Sequence, residues 1–374
     1  MKKQNVIIIV IDGGRLDWAQ NSDLFNNLKN KSAFFSNSIT YGPHTIAAMH
    51  AILSGTYGTR NGTNSYWSTY EFKKDKFKTI TEYLKENNFF TCADLHSEIV
   101  IPKQGFDQFQ IHQSTDDLKK RHSDLLEQIH TKCNNEENFF LYLHYSTIHN
   151  IISEQVLKKY DNFDKDYFDS KQLNYDRYNT EFKKAEQYLS SIMNKITSLK
   201  LDNNSLILIL SDHGISIGEK FGERAYGAFC YDYTIKTFAY LLGNTIKPIE
   251  ITQQVRTIDF MPTILEYLEI NHDNNFEKMD GISLSSLISS KTMEEKIAFS
   301  ETGNPLKEKK PPKQPNTKSV RTSKWKLIFN EYDNSKELYD LENDPTESEN
   351  LIGTNSEIEE QLWNQLLIIT KNVD

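Results

Sequence analysis

Cysteine is nearly absent: the 374 residues hold three, Cys92, Cys133 and Cys230, none in a C-x-x-C spacing. An odd, scattered set of this kind excludes a disulfide framework. Long apolar runs are missing too. No stretch approaches the roughly 18 apolar residues of a membrane span, so membrane insertion is not expected. The run near the N-terminus is six residues long and ends in Asp-Gly-Gly-Arg, too short for a signal peptide, and we expect a cytoplasmic protein. Positive charge is also scarce, with 43 Lys and Arg against 52 Asp and Glu for a formal net charge of -9, mixed along the chain. A nucleic-acid polymer is therefore excluded as a partner, because phosphate backbones require a basic face. A small anionic substrate stays allowed, since a metal ion or a histidine cluster can reverse the field inside one pocket. There is no internal repeat, and the only low-complexity piece is the Pro- and Lys-rich "KEKKPPKQPNTKS" at 307–319.

What is present is a folded pattern. Hydrophobic residues make up 37% of the chain and mean hydropathy is -0.62, yet the apolar residues are gathered into short blocks. "VIIIVI" at 6–11, "FFLYLHY" at 139–145, "SLILIL" at 205–210 and "TFAYLL" at 237–242 lack polar alternation, as strands buried on both faces do. Helical spacing runs through "TEFKKAEQYLSSIMNKITSL" at 180–199. Alternating strands and helices predict an α/β fold, a mostly parallel central sheet sandwiched by helices. Beyond about 290 the character changes to strand-like "KWKLIFNEY", turn-rich "YDLENDPTESENL" and a closing helix at 355–371. We therefore expect a catalytic domain over 1–290 and a small C-terminal α+β subdomain over 291–374 packed on it.

Three places carry residues suited to chemistry. Asp12 ends the first apolar run and is followed by Gly13 and Gly14; it is either a turn aspartate or a ligand-binding carboxylate at a strand's carboxyl end, where α/β sheets bind ligands. Asp212 and His213 stand in the same relation to the run at 205–210, and both residue types ligate metals. "PHTIAAMHAILSG" at 43–55 reads as a loop entering a helix, with Thr45 an N-cap or a reactive hydroxyl and Gly55 ending the helix.

Together with "GFDQF", "FFLYLHYSTIHN", "SDHGISIGE", "VRTIDFMPTILEYL", "DGISLSSLI" and "ELYDLENDPTESENL" in order, these pieces make the chain resemble the sulfatase-like branch of the alkaline phosphatase superfamily nearly end to end. The resemblance implies one divalent metal ion (Mn, Mg, Ca or Zn) held by Asp12, Asp212 and His213, with the Thr45 hydroxyl at its open position. It places His149 and His96 as substrate-binding residues; where the family has a Lys-His pair this chain departs with Gly227 and Ala228, so either Arg224 or Lys236 supplies the positive charge instead or the pocket is built for a different group. His50 and His144 read as packing residues. No ligands for a second metal are evident.

One departure bears on the reaction. Sulfatases open the nucleophile helix with a C-x-P-S-R pattern whose cysteine matures to formylglycine; here the positions read Thr45, Ile46, Ala47, Ala48 and Met49. A threonine nucleophile resembles instead the branches that handle phosphorus. The expectation is a hydrolase or transferase for a phosphoester or phosphonate, with the metal lowering the Thr45 pKa and His149 and His96 contacting the anion or leaving group. A sulfuric ester hydrolase without formylglycine is the alternative, and a catalytically inactive anion-binding relative is the reading from another class.

Overall fold

The computed structural model describes residues 4–65, 68–134, 137–159, 164–223, 225–303 and 316–371. Arg224 and most of the Pro- and Lys-rich loop lie outside these residues. Strands β1 (Asn5–Ile11), β2 (Ala33–Ile39), β3 (Phe89–Leu95), β4 (Gln108–Ile111), β5 (Asn138–Tyr145), β6 (Ser205–Leu210), β7 (Lys236–Leu242), β8 (Ile249–Ile251) and β9 (Val255–Arg256) form one sheet. Its order is β4-β3-β5-β1-β6-β7-β2-β8, with β9 also on β2. Pairing is parallel except at β7, which runs antiparallel to both β6 and β2.

The apolar runs become central strands because both faces of the sheet are covered. Along β1, Ile7, Ile9 and Ile11 enter one core with Tyr178, Phe182, Tyr188 and Ile192 of the helix Lys171–Ser198. Val6, Ile8 and Val10 enter the other, with Met49, Ile52 and Leu53 of the helix Thr45–Ser54. Successive side chains of a strand point to opposite faces, so an unbroken run is what a doubly covered strand requires. Among the described residues no helix is long and apolar enough to cross a membrane.

A second, antiparallel sheet follows from β10 (Ala298–Glu301), β11 (Thr317–Arg321), β12 (Trp325–Asn330) and β13 (Ser335–Asp340), with the helix Ser356–Lys371 against it. Its core residues Phe299, Val320, Leu327, Leu338, Leu362 and Leu366 form one cluster with Tyr41, Ala47, Ala51 and Tyr57. The small sheet thus packs on the outer face of the Thr45 helix. A buried charge network reinforces the contact: Asp232 takes Arg321 Nη2 at 2.8 Å and Lys326 Nζ at 3.0 Å, and Lys326 reaches Glu347 at 2.7 Å.

At the same contact the Tyr41 hydroxyl donates to Glu301, whose carboxyl is pushed up to about 7 by burial. The folded chain holds this proton more tightly than the unfolded chain does. Stability that is present at low pH is therefore lost as pH rises from the ordinary glutamate value through about 7. Glu301→Gln should flatten this loss, gaining on the order of 1–3 kcal/mol on wild type between about pH 5 and about pH 8. Denaturant melts at the two pH values check it; parallel pH profiles for the two proteins would refute it.

Candidate active site

Four neighbouring parallel strands, in the order β3-β5-β1-β6, end on the same edge of the sheet, and each delivers polar side chains there. Asp12 directly follows β1, its N–H still donating to the Tyr145 carbonyl at 3.1 Å. The chain must then turn at once. Gly13 adopts φ 75°, and a Cβ on it would come 2.7 Å from Ile215 Cδ1, so the first of the two glycines is required by both conformation and space. The Gly13 N–H donates to Asp212 Oδ1 at 3.2 Å, which ties the end of β1 to the segment after β6.

His213 donates Nδ1–H to the Gly214 carbonyl at 2.8 Å, leaving the Nε2 lone pair for a Lewis acid. Nε2 lies 3.5 Å from Asp12 Oδ1 and 3.6 Å from Asp212 Oδ2. Donor atoms of Asp12, Asp212 and His213 all fall within 4.8 Å of one another, and all three residues are fully buried. Asp212 Oδ2 has no hydrogen-bond partner among the described residues. Burial, and then the Asp12 charge, push the Asp212 carboxyl up from its ordinary value. Two buried carboxylates, one with an unpartnered oxygen, beside an imidazole lone pair are a donor set that fits a divalent cation.

Thr45 reaches the same point from the helix. It is the first helical residue rather than the cap: His44, extended at φ -156°, occupies the N-cap position, and Gly55 ends the helix at φ 62° as expected. The Thr45 hydroxyl is therefore not spent on capping. Oγ lies 3.3 Å from His213 Nε2 and 3.4 Å from each Asp12 oxygen. His44 Nε2 donates to the Thr302 carbonyl of the small sheet at 3.1 Å, which fixes the helix entry.

His144 is more than a packing residue. β1 and β5 pair with Val10 opposite His144, and from there Nε2 donates to Asp12 Oδ2 at 2.9 Å while Nδ1 accepts from the Tyr142 hydroxyl at 2.8 Å. Burial pulls its imidazole down to about 3, so the ring is neutral at pH 7 and orients the carboxylate without discharging it. His50 stays away from this point, its Nδ1 donating to the Ile46 carbonyl of its own helix at 2.8 Å and its Nε2 lying 3.3 Å from the Thr69 hydroxyl.

His96, just past β3, and His149, in the short helix Thr147–Ile152 after β5, close the opposite side. Their rings stand 5.4 Å apart, with His96 5.1 Å from His144. Burial also pulls His96 down to about 3. Tyr226, which the sequence reading did not single out, joins this wall: its hydroxyl is 2.7 Å from His149 Nε2 and its ring 4.8 Å from that of His213. The loop carrying Tyr226 is pinned by buried Glu223, which accepts from the N–H of Ala228 and the Tyr233 hydroxyl, both at 2.9 Å. Lys236, by contrast, lies away from this site in a separate cleft with Arg15, Asp232 and Glu347. Among the described residues no Lys or Arg pairs with Asp12 or Asp212.

Carboxylates and imidazoles converging on a helix-borne hydroxyl at the carboxyl edge of a parallel sheet define an α/β protein with a hydrolase-type site. The chain belongs to the sulfatase family, whose model matches residues 4–270, and a model for the C-terminal region of N-sulphoglucosamine sulphohydrolase matches residues 228–372. No curated protein shows significant similarity to it. Among solved structures it is similar to BT1596, a 2-O GAG sulfatase, at 16% identity and TM-score 0.76 over 99% of this chain and 93% of that one. It is likewise similar to BT4656, solved with its substrate D-glucosamine-2-N,6-O-disulfate, at 14% identity and TM-score 0.75 over 100% and 98% of the two chains. A structure from work on glycosaminoglycan metabolism by Bacteroides thetaiotaomicron matches at 14% identity and TM-score 0.75, covering 100% of this chain and 97% of its own. At such identities the likeness is one of fold.

Proposed function

We propose that the protein hydrolyses a monoanionic ester on a small, sugar-sized molecule, with a sulfate ester as the first candidate and Thr45 as the nucleophile. The observation that carries this reading is the Thr45 hydroxyl, held 3.3–3.4 Å from His213 and Asp12 at a helix N-terminus. The family match and the sulfated ligand of BT4656 favour sulfur.

Asp12, Asp212 and His213 would hold the metal, which when bound supplies Lewis-acid stabilisation of negative charge on the ester oxygens. Thr45 Oγ attacks the central atom in line, its proton passing to the Asp12 carboxylate 3.4 Å away, a distance that tightens when substrate is bound. The bond to the leaving oxygen breaks, the departing alkoxide takes up a proton from solvent water to leave as the alcohol, and Asp12 returns to solvent the proton it received from Thr45. Water then attacks the same central atom, releasing the inorganic anion and restoring the Thr45 hydroxyl. The helix N-terminus favours the developing alkoxide. His96 and His149 face the anion as the pocket's remaining polar groups.

A second reading keeps the site and changes the substrate to a phosphodiester or phosphonate. It is favoured by the hydroxyl itself, since water in a metal-assisted site can resolve a phosphothreonine by attack at phosphorus, whereas sulfated threonine lacks the hemiacetal collapse open to formylglycine. A panel of p-nitrophenyl sulfate, phosphate monoester, phosphate diester and phosphonate, with sulfated monosaccharides and several metals, separates the two. Sulfate esters should lead the panel. A leading phosphate ester or phosphonate would move the assignment to phosphorus, and no turnover of any member would mark an inactive anion-binding relative.

A further inference from the structure

The pocket holds more imidazole than one cation uses. Asp12 belongs to two donor groups at once: with Asp212 and His213 on one side, and with His96 and His149 on the other, where one donor atom from each of the three residues again lies within 4.8 Å of the others. Ligands on opposite sides of an ion with bonds of about 2.1 Å are about 4.2 Å apart, so side-chain shifts below about 1 Å would close this second group around an ion.

An independent observation points to a missing ligand. His149 is 8% exposed, and its Nε2 is engaged by the Tyr226 hydroxyl, yet its Nδ1 is buried with no hydrogen-bond partner among the described residues. The Nδ1 of His96 is in the same condition. Buried polar atoms without partners are uncommon, and two unpartnered ring nitrogens in residues grouped around one carboxylate lack a partner that neither backbone nor side chain supplies.

A third cluster, Asp94 with His112 and His122, shows the contrast. There His112 donates to Asp94 at 2.6 Å and accepts from Ser146 at 2.9 Å, His122 accepts from Tyr188 at 2.7 Å, and Arg121 pairs with Asp94 at 2.6 Å. That cluster is internally satisfied and braces the start of the helix bearing His149.

We propose that Asp12, His96 and His149 form a second divalent-cation site, with Asp12 bridging it to the Asp12–Asp212–His213 site. Two imidazoles and one carboxylate select a borderline ion such as zinc over calcium, which prefers an all-oxygen shell. His96 and His149 then act on the substrate anion through this ion. That last step rests on the ester-hydrolase reading; the site itself does not.

The test uses the full chain, stripped by a chelator and titrated with zinc chloride under equilibrium dialysis, with bound metal read by elemental analysis. Wild type should take up two equivalents, and His149→Ala, His96→Gln and Asp212→Asn one each. Calcium should fill no more than one site. In cobalt(II) titrations, His149→Ala should lose part of the visible absorption that nitrogen ligation produces. Saturation of wild type at one equivalent, or two equivalents retained by both histidine variants with unchanged circular dichroism, would overturn the proposal. Two equivalents without hydrolysis of any ester would sink the proposed function and leave the second site standing. Hydrolysis by a protein that binds one ion would do the reverse.

Discussion

Thr45→Ala is expected to lower turnover by roughly four to six orders of magnitude while leaving the fold intact, the range seen when a nucleophile is removed elsewhere. The reason lies in what Thr45 does not do. His44 occupies the N-cap position and Thr45 makes no capping bond, so its loss should cost less than the about 1 kcal/mol typical of a cap. Its hydroxyl faces Asp12 and His213 instead. Thr45→Ser, which keeps the oxygen, should retain partial activity. Steady-state kinetics with the best ester from the panel decides the matter. Retention of more than about a tenth of wild-type turnover by the alanine variant would show that water attacks directly and that Thr45 only lines the pocket.

Asp12→Asn is expected to have effects nearly as large and of two opposite signs. Asp12 touches Thr45, His144 and His213 and shares both donor groups, so the metal content of a purified preparation should fall below about a tenth of wild type, and turnover should fall with it by at least about a thousandfold. The metal-free protein should become more stable. In the absence of a cation two carboxylates are buried side by side, and the Asp12 charge is one of the causes that push Asp212 upward. Asparagine removes that repulsion, yet its carbonyl can still accept from His144 Nε2. Elemental analysis and melting curves in the presence of a chelator read the two effects separately. Metal uptake equal to wild type would exclude Asp12 as a ligand.

Much of this arrangement is legible in the sequence because its determinants are local. The runs at 6–11 and 205–210 announce strands covered on both faces, and an acid at the end of each announces a site at the sheet's carboxyl edge. Gly55 stops the helix where its φ permits. What local sequence does not show is what depends on register between distant strands. Nothing near His144 reveals that it lies opposite Val10 and so beside Asp12. His96 and His149 are 53 positions apart in sequence and meet only because β3 and β5 are neighbours. The antiparallel course of β7 is equally hidden, since an apolar run carries no direction. Tyr226 has no pattern around it; it enters the pocket through a loop held by Glu223, a buried acid that gives no periodic signal.

The packing of the small sheet on the Thr45 helix also imposes an order of events. Asp12, His96, His149, Asp212 and His213 have all been synthesised once the central sheet can form. The residues that clamp the helix entry and its outer face, Thr302 against His44 and Phe299, Val320, Leu327 and Leu362 against Tyr41, Ala47 and Ala51, emerge from the ribosome later. A nascent chain can thus assemble its carboxylates and imidazoles before the Thr45 hydroxyl has been fixed among them, and the pocket is complete only after the small sheet has been synthesised.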